Sequence, residues 1–188
     1  MKKSHIAVII IIAIIGLIAL WGIGTYNSLI SSKESVENEY ANIEVQLERR
    51  ADLIPNLVNT VKGYTQHEQK TIDKITTARE NLIKANNIED KAKASEELDQ
   101  AIDALMVIVE NYPDLKASSN FINLQDELAG TENRIATARR DYNNAVKSYN
   151  QEIKRIPNNV IASIAGLKKE KYFEVSESKK EVPNVSFE

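Results

Sequence analysis

The hydrophobic positions follow two regimes along this chain. From Ile6 to Ile23 the sequence reads IAVIIIIAIIGLIALWGI, apolar without interruption, and at about 1.5 Å per residue this run spans roughly 27 Å, close to the hydrocarbon thickness of a bilayer. From Leu29 onward the apolar residues become periodic, recurring at threes and fours. The first pattern suits a helix surrounded by lipid; the second suits helices that each bury one stripe. No stretch alternates with the period of a strand, so the predicted fold class is all-α.

The anchor is read as a retained transmembrane helix over residues 6–24, preceded by a short flank, 1–5. A cleaved signal peptide has a shorter apolar region and a small-residue cleavage site, whereas this run ends in Thr25-Tyr26-Asn27. Trp21 and Tyr26 stand at the far end, where amphipathic rings favour the headgroup region. Lys2, Lys3 and the α-amino group precede the span, and Lys33 follows it. The positive-inside rule on that count faces the following domain outward, at the extracytoplasmic side of the cell membrane.

A heptad-like stripe runs through Leu29, Val36, Tyr40, Ile43, Leu47, Ile54, Leu57, Val61, Tyr64, Ile75, Ala78, Leu82 and Ala85, interrupted at Lys33, Arg50, Glu68 and Thr71. Its phase predicts one long helix or two nearly collinear ones. Pro55 removes a backbone hydrogen bond, which predicts a kink near 51–55, with a hairpin reversal there as the rival. Asn87 followed by Asp90 has the form of a helix cap, and the next helix carries Leu98, Ile102, Leu105 and Val109 on one face. Tyr112-Pro113 should end it, because the residue before proline is driven from helical geometry. A last long helix presents Phe121, Leu124, Leu128, Thr131, Ile135, Ala138, Tyr142, Ala145, Tyr149 and Ile156, and should end at Pro157. Such helices satisfy one another as an up-and-down bundle of three or four long helices, here placed over residues 25–173. The apolar stretch 160–165 either caps the bundle or rests on the bilayer. After Phe173 the chain turns polar, and 174–188 is read as a flexible tail.

Composition narrows the chemistry. The net charge is −3, both signs are interspersed, and no Lys/Arg block forms, which argues against a nucleic-acid partner. Cysteine is absent and histidine occurs twice, as His5 and His67. His67-Glu68 lacks the second histidine of a helical zinc protease, since position 71 is threonine. No Glu has a His three residues later, as a carboxylate-bridged metal site in a bundle would require, and no nucleophile elbow or phosphate-cradling loop occurs. The expectation is a protein with no catalytic residues, no metal and no cofactor. Asn133 and Arg134 flank core positions, where polar residues set helix pairing or serve a partner. Tyr142-Asn143 and Tyr149-Asn150, one heptad apart, are read as core tyrosines.

Several blocks carry a resemblance: Gln46-Leu47-Glu48-Arg49-Arg50-Ala51-Asp52-Leu53-Ile54-Pro55-Asn56-Leu57-Val58, Val61-Lys62-Gly63-Tyr64, Tyr112-Pro113-Asp114-Leu115-Lys116-Ala117, and Asn120-Phe121 through Thr131-Glu132-Asn133-Arg134-Ile135-Ala136. Together they resemble the LemA family, over nearly the whole chain. Tyr40, in place of an expected tryptophan, and Glu48, in place of a basic or amide residue, depart from its pattern and preserve helix. The resemblance implies a bacterial membrane protein with one N-terminal span and a helical bundle. It implies company with membrane zinc metalloproteases, membership shared with a protein of magnetosome membrane formation, and a short N-terminus outside, opposite to the charge count. A membrane-anchored scaffold or adaptor that binds envelope or membrane proteins is therefore the leading functional expectation, and a self-associating membrane organiser the alternative. The candidate partner surface comprises Asp52, Pro55, Asn56, Tyr112, Pro113, Lys116, Asn133 and Arg134. The other reading of those residues is that the prolines merely shape a kink and a turn.

Overall fold

The structure is a computed structural model that describes residues 2–65 and 67–174, with side chains from His5 onward. Six helices occur in order among the described residues: α1 (Lys2–Lys62), α2 (Gln69–Lys84), α3 (Ile88–Val109), α4 (Pro113–Lys116), α5 (Ser119–Glu152) and α6 (Asn158–Ile164). No strand occurs among the described residues, so the all-α class holds. The polar tail assigned to 174–188 lies, beyond Glu174, outside the described residues.

The apolar run begins α1, and every side chain from Ile6 to Leu20 is exposed there. A helix this apolar, with its most hydrophobic window covered by nothing, is stable where the surrounding solvent is hydrocarbon. The chain forms two compact units. One comprises α1 as far as Glu39 together with residues 143–171. Leu29 and Val36 of α1, Val146 and Tyr149 of α5, Ile153 just after it and Ala162 of α6 are its buried hydrophobic residues. The amide of Asn150 behaves as a surrogate backbone group: Nδ2 donates to the Glu170 carbonyl and Oδ1 accepts from the Glu170 N–H, both at 2.9 Å. That pair fixes the otherwise non-helical segment after α6.

The second unit comprises 40–142 with Tyr172 and Phe173. The Tyr40 ring meets that of Tyr142 tilted at 54°, while Arg50 pairs with Glu132, so positions on α5 fall as positions on α1 rise and the two helices are antiparallel. Arg79 on α2 reaches Ala51 on α1, and Asp99 on α3 reaches Arg50. The order is up, down, up, down, and Ile54, Leu57, Ile75, Leu98, Leu105 and Ile135 are wholly buried within it. Asn87 caps α3 as expected, its Oδ1 accepting from the Asp90 N–H at 2.9 Å.

The rival reading at Pro55 is set aside and two expectations are corrected. The chain does not reverse at Pro55, which lies inside α1; it reverses between α1 and α2, where Gly63 N–H bonds back to Thr60 and Asn59 and the Thr65 hydroxyl donates to the Val61 carbonyl. The stripe beyond Val61 therefore belongs to a helix running back, not to a collinear continuation, and Tyr64 is exposed in the turn. The last long helix ends at Glu152 instead of Pro157. Pro157 has no N–H to offer Ile153 and drives Ile156 from helical geometry, so the preceding residues tighten into three-residue bonds, Lys154 to Gln151 and Arg155 to Glu152. Ile156 is consequently 87% exposed.

Candidate functional site

Asp52, Pro55 and Asn56 share the outer face of α1, all exposed. Proline cannot donate to the carbonyl four residues earlier, which here is that of Ala51, a residue 1% exposed. A buried carbonyl without a donor is costly. Arg79 of α2 supplies it, Nε donating at 2.8 Å. Pro55 thus creates an acceptor on α1 that only a neighbouring helix can satisfy, and the α1/α2 pairing is specified at one backbone atom. Asp52 also borders a cleft of about 330 Å³ lined by Glu44, Leu47, Glu48, Ala51, Leu82, Ile83 and Lys91. Its floor is apolar, its rim carries the carboxylates of Glu44, Glu48 and Asp52, and Lys91 is already paired with Glu44 at 3.0 Å.

Tyr112, Pro113 and Lys116 occupy the turn after α3. Pro113 opens α4, where its missing N–H costs nothing, and Leu115 plugs the core beneath. The Tyr112 hydroxyl donates to Glu68 Oε1 at 2.9 Å, joining this turn to the reversal between α1 and α2. That hydrogen bond, then loss of solvent, then the Glu68 charge hold the phenol above its ordinary range. Lys116 pairs with Glu110 at 2.5 Å on the surface. Asn133 and Arg134 are exposed on α5 between buried Thr131 and Ile135, and Arg134 edges a shallow depression with Asn123, Asp126, Glu127 and Gly130. The eight residues fall into three groups, each tied to different neighbours, and do not converge on one centre.

The residue the sequence pattern understated is Arg50. Read as an interruption of the stripe, it is 5% exposed, with Nη1 held by Asp99 Oδ1 at 2.5 Å and by Glu132 Oε2. Glu132 also meets Arg139 Nη2 at 3.6 Å, and the Arg139 guanidinium lies 5.5 Å from the centre of the Phe173 ring. One chain of charge therefore ties α1, α3, α5 and the segment after residue 171. The contacts of the Arg50 guanidinium alone join three helices, so this cluster sets how they pair. A charge at a stripe position in α1, with Asp99 beside the stripe of α3, was the available signal. His67, the histidine beside Glu68, is exposed, and among the described residues no group of histidines and carboxylates is arranged to hold a metal ion.

A membrane span at the head of α1 and a set of packed antiparallel helices over 40–142 define a membrane-anchored helical-bundle protein. Comparison with known proteins makes that class specific. The LemA family matches residues 39–187, most of the chain, and the chain belongs to that family. Its relatives include Protein LemA of Metamycoplasma hominis, 29% identical over 90% of this chain and 78% of that protein. They also include Magnetosome protein MamQ 1 of Paramagnetospirillum magneticum, 30% identical over 79% of this chain, and Magnetosome protein MamQ of Magnetospirillum gryphiswaldense, 23% identical over 92% of this chain and 74% of that protein. The match spans 64% of the length of the former MamQ, so that protein carries further sequence outside it.

Proposed function

We propose that the protein is a membrane-anchored scaffold or adaptor that binds other envelope or membrane proteins and catalyses no reaction itself. The observation that carries this reading is the use of α1: one uninterrupted helix supplies the span and then a wall of the helical unit, where Arg50 is closed between two carboxylates. The polar interior is spent on architecture, which leaves the outer surface for work. Asp52 with the adjoining cleft, Asn56, and the Tyr112-Pro113 turn are the surfaces offered to a partner.

Photo-reactive residues at exposed Lys62 and Lys116 in the full chain, followed by identification of adducts in cells, test it. Reproducible adducts with an envelope protein, a membrane metalloprotease among the candidates, that disappear with Asn56→Ala while the helical content stays unchanged support the adaptor reading. Adducts with itself alone transfer the assignment to a membrane organiser. That second reading is favoured by relatives named as magnetosome proteins and by Val45 and Val107, exposed by 58% and 71%. Light scattering of the full chain in detergent separates the two, since a strict monomer overturns the organiser.

A further inference from the structure

The short helix α6 packs where the apolar run of α1 ends: a methyl group added at Gly22 would stand 3.6 Å from Ile161 Cδ1. Ala162 turns inward and is buried, whereas Val160 and Ile164, one turn apart on α6, and Ile156 just before it are 54%, 80% and 87% exposed. Trp21, next to the contact, is 42% exposed, and an indole at the end of a span marks the headgroup level. Cations flank these aliphatic residues on both sides: Lys154 and Arg155 before, Lys168 and Lys169 after, all exposed. Lys154 and Lys169 lie close enough that the Lys154 ammonium holds the Lys169 amine below its ordinary range. Like charges gathered there are stabilised by an anion that bridges them. Glu152 and Glu170 are the neighbouring carboxylates, the latter fixed through its backbone by Asn150.

We infer that residues 154–169 form a second membrane contact, in which Ile156, Val160 and Ile164 enter the headgroup and acyl boundary of the leaflet where the span emerges, and the flanking lysines and Arg155 bind phosphates of anionic lipids. The inference rests on the span. An aliphatic patch bordered by Lys and Arg is the composition of an interfacial helix, and the contact at Gly22 places it at lipid level. Tethering by the span makes the encounter intramolecular, so even a seven-residue helix is held there. Each cation near an anionic surface raises occupancy roughly fivefold.

The chain has no cysteine, so single-cysteine variants of the full protein report depth directly. Val160→Cys, Ile164→Cys, the mid-span Ile14→Cys and the aqueous reference Lys147→Cys are each labelled with a nitroxide. They are reconstituted in phosphatidylcholine vesicles with and without phosphatidylglycerol. Collision rates with oxygen, which concentrates in lipid, and with a water-soluble nickel chelate are then measured. The expected result is high oxygen and low nickel access at 160 and 164, approaching position 14, with phosphatidylglycerol deepening both labels and Lys154→Glu/Lys169→Glu abolishing the deepening. Nickel access at 160 and 164 equal to that at 147, with position 14 protected, overturns the inference and leaves the span standing. Nickel access at 14 as well overturns the span and the inference together. Low access to both probes at 160 and 164 means a protein cover and also overturns it, and depth indifferent to phosphatidylglycerol overturns the anionic-lipid part.

Discussion

Removing the Arg79 side chain asks whether Pro55 is tolerated in α1 because another helix satisfies the carbonyl it orphans. The Ala51 carbonyl belongs to a residue 1% exposed, and its donor is Arg79 Nε at 2.8 Å. An unsatisfied buried acceptor costs about 1–3 kcal/mol. Because the Arg79 side chain is partly open to solvent, Arg79→Ala is expected to cost roughly 1–2 kcal/mol, after discounting for screening. Some of that loss would be packing by the arginine stem, so the single variant is not decisive. Pro55→Ala restores an N–H at position 55 that bonds the Ala51 carbonyl within the helix. In that background Arg79→Ala should cost no more than about 0.5 kcal/mol, a coupling near 1 kcal/mol between two residues on different helices. Pro55→Ala alone should stabilise the unit. Thermal and urea denaturation of the full chain in one detergent, followed by far-UV circular dichroism, reads the cycle; about 1 kcal/mol moves the midpoint roughly 2–4 °C for a chain of this size. An equal cost of Arg79→Ala in both backgrounds would refute the reasoning.

The buried charge cluster gives a larger cycle: Arg50→Met or Asp99→Leu alone strands a buried charge and should cost about 3–5 kcal/mol, while the double variant costs much less than their sum; additive losses in the same melts would contradict it. Glu132→Gln should be milder, since the Glu132 side chain is 42% exposed. Asn150→Ala removes both hydrogen bonds to Glu170 and should cost about 1–3 kcal/mol, with amide hydrogen exchange accelerated over 167–171; unchanged exchange there would show that the clamp is incidental. Asn87→Ala, which loses the cap on α3, should cost about 1 kcal/mol, read as a shift in the urea midpoint. The Tyr112 phenol is held above its ordinary 10.0 chiefly by its hydrogen bond to Glu68. Its neutral form is favoured in the folded chain, so its contribution is complete below pH 10.0 and is lost as pH climbs through the raised value; Tyr112→Phe should flatten that alkaline fall in melts taken on either side, and an identical fall would rule the contribution out.

What the sequence determined by itself was whatever depends on near neighbours. The unbroken run from Ile6 to Ile23 states its preferred solvent residue by residue, the three-and-four spacing places Leu98, Ile102, Leu105 and Val109 on one buried face, Asn87 caps because Asp90 is three residues away, and Pro113 keeps Tyr112 out of helical geometry by its own ring. The LemA resemblance was legible for a similar reason, in contiguous blocks. The candidate partner residues were legible as unusual, but not as three separate groups, because their separation depends on how the helices lie beside one another. Only the tertiary structure decided where the chain reverses, since a stripe kept in phase looks the same in a collinear helix and in one that folds back. It alone showed that Pro55 is answered by Arg79 and that Arg50 is a hub, its Glu132 partner standing 82 residues further along the chain. A hydrophobic period records which side of a helix is buried; the identity of the atoms that bury it is set by contacts between residues far apart in sequence.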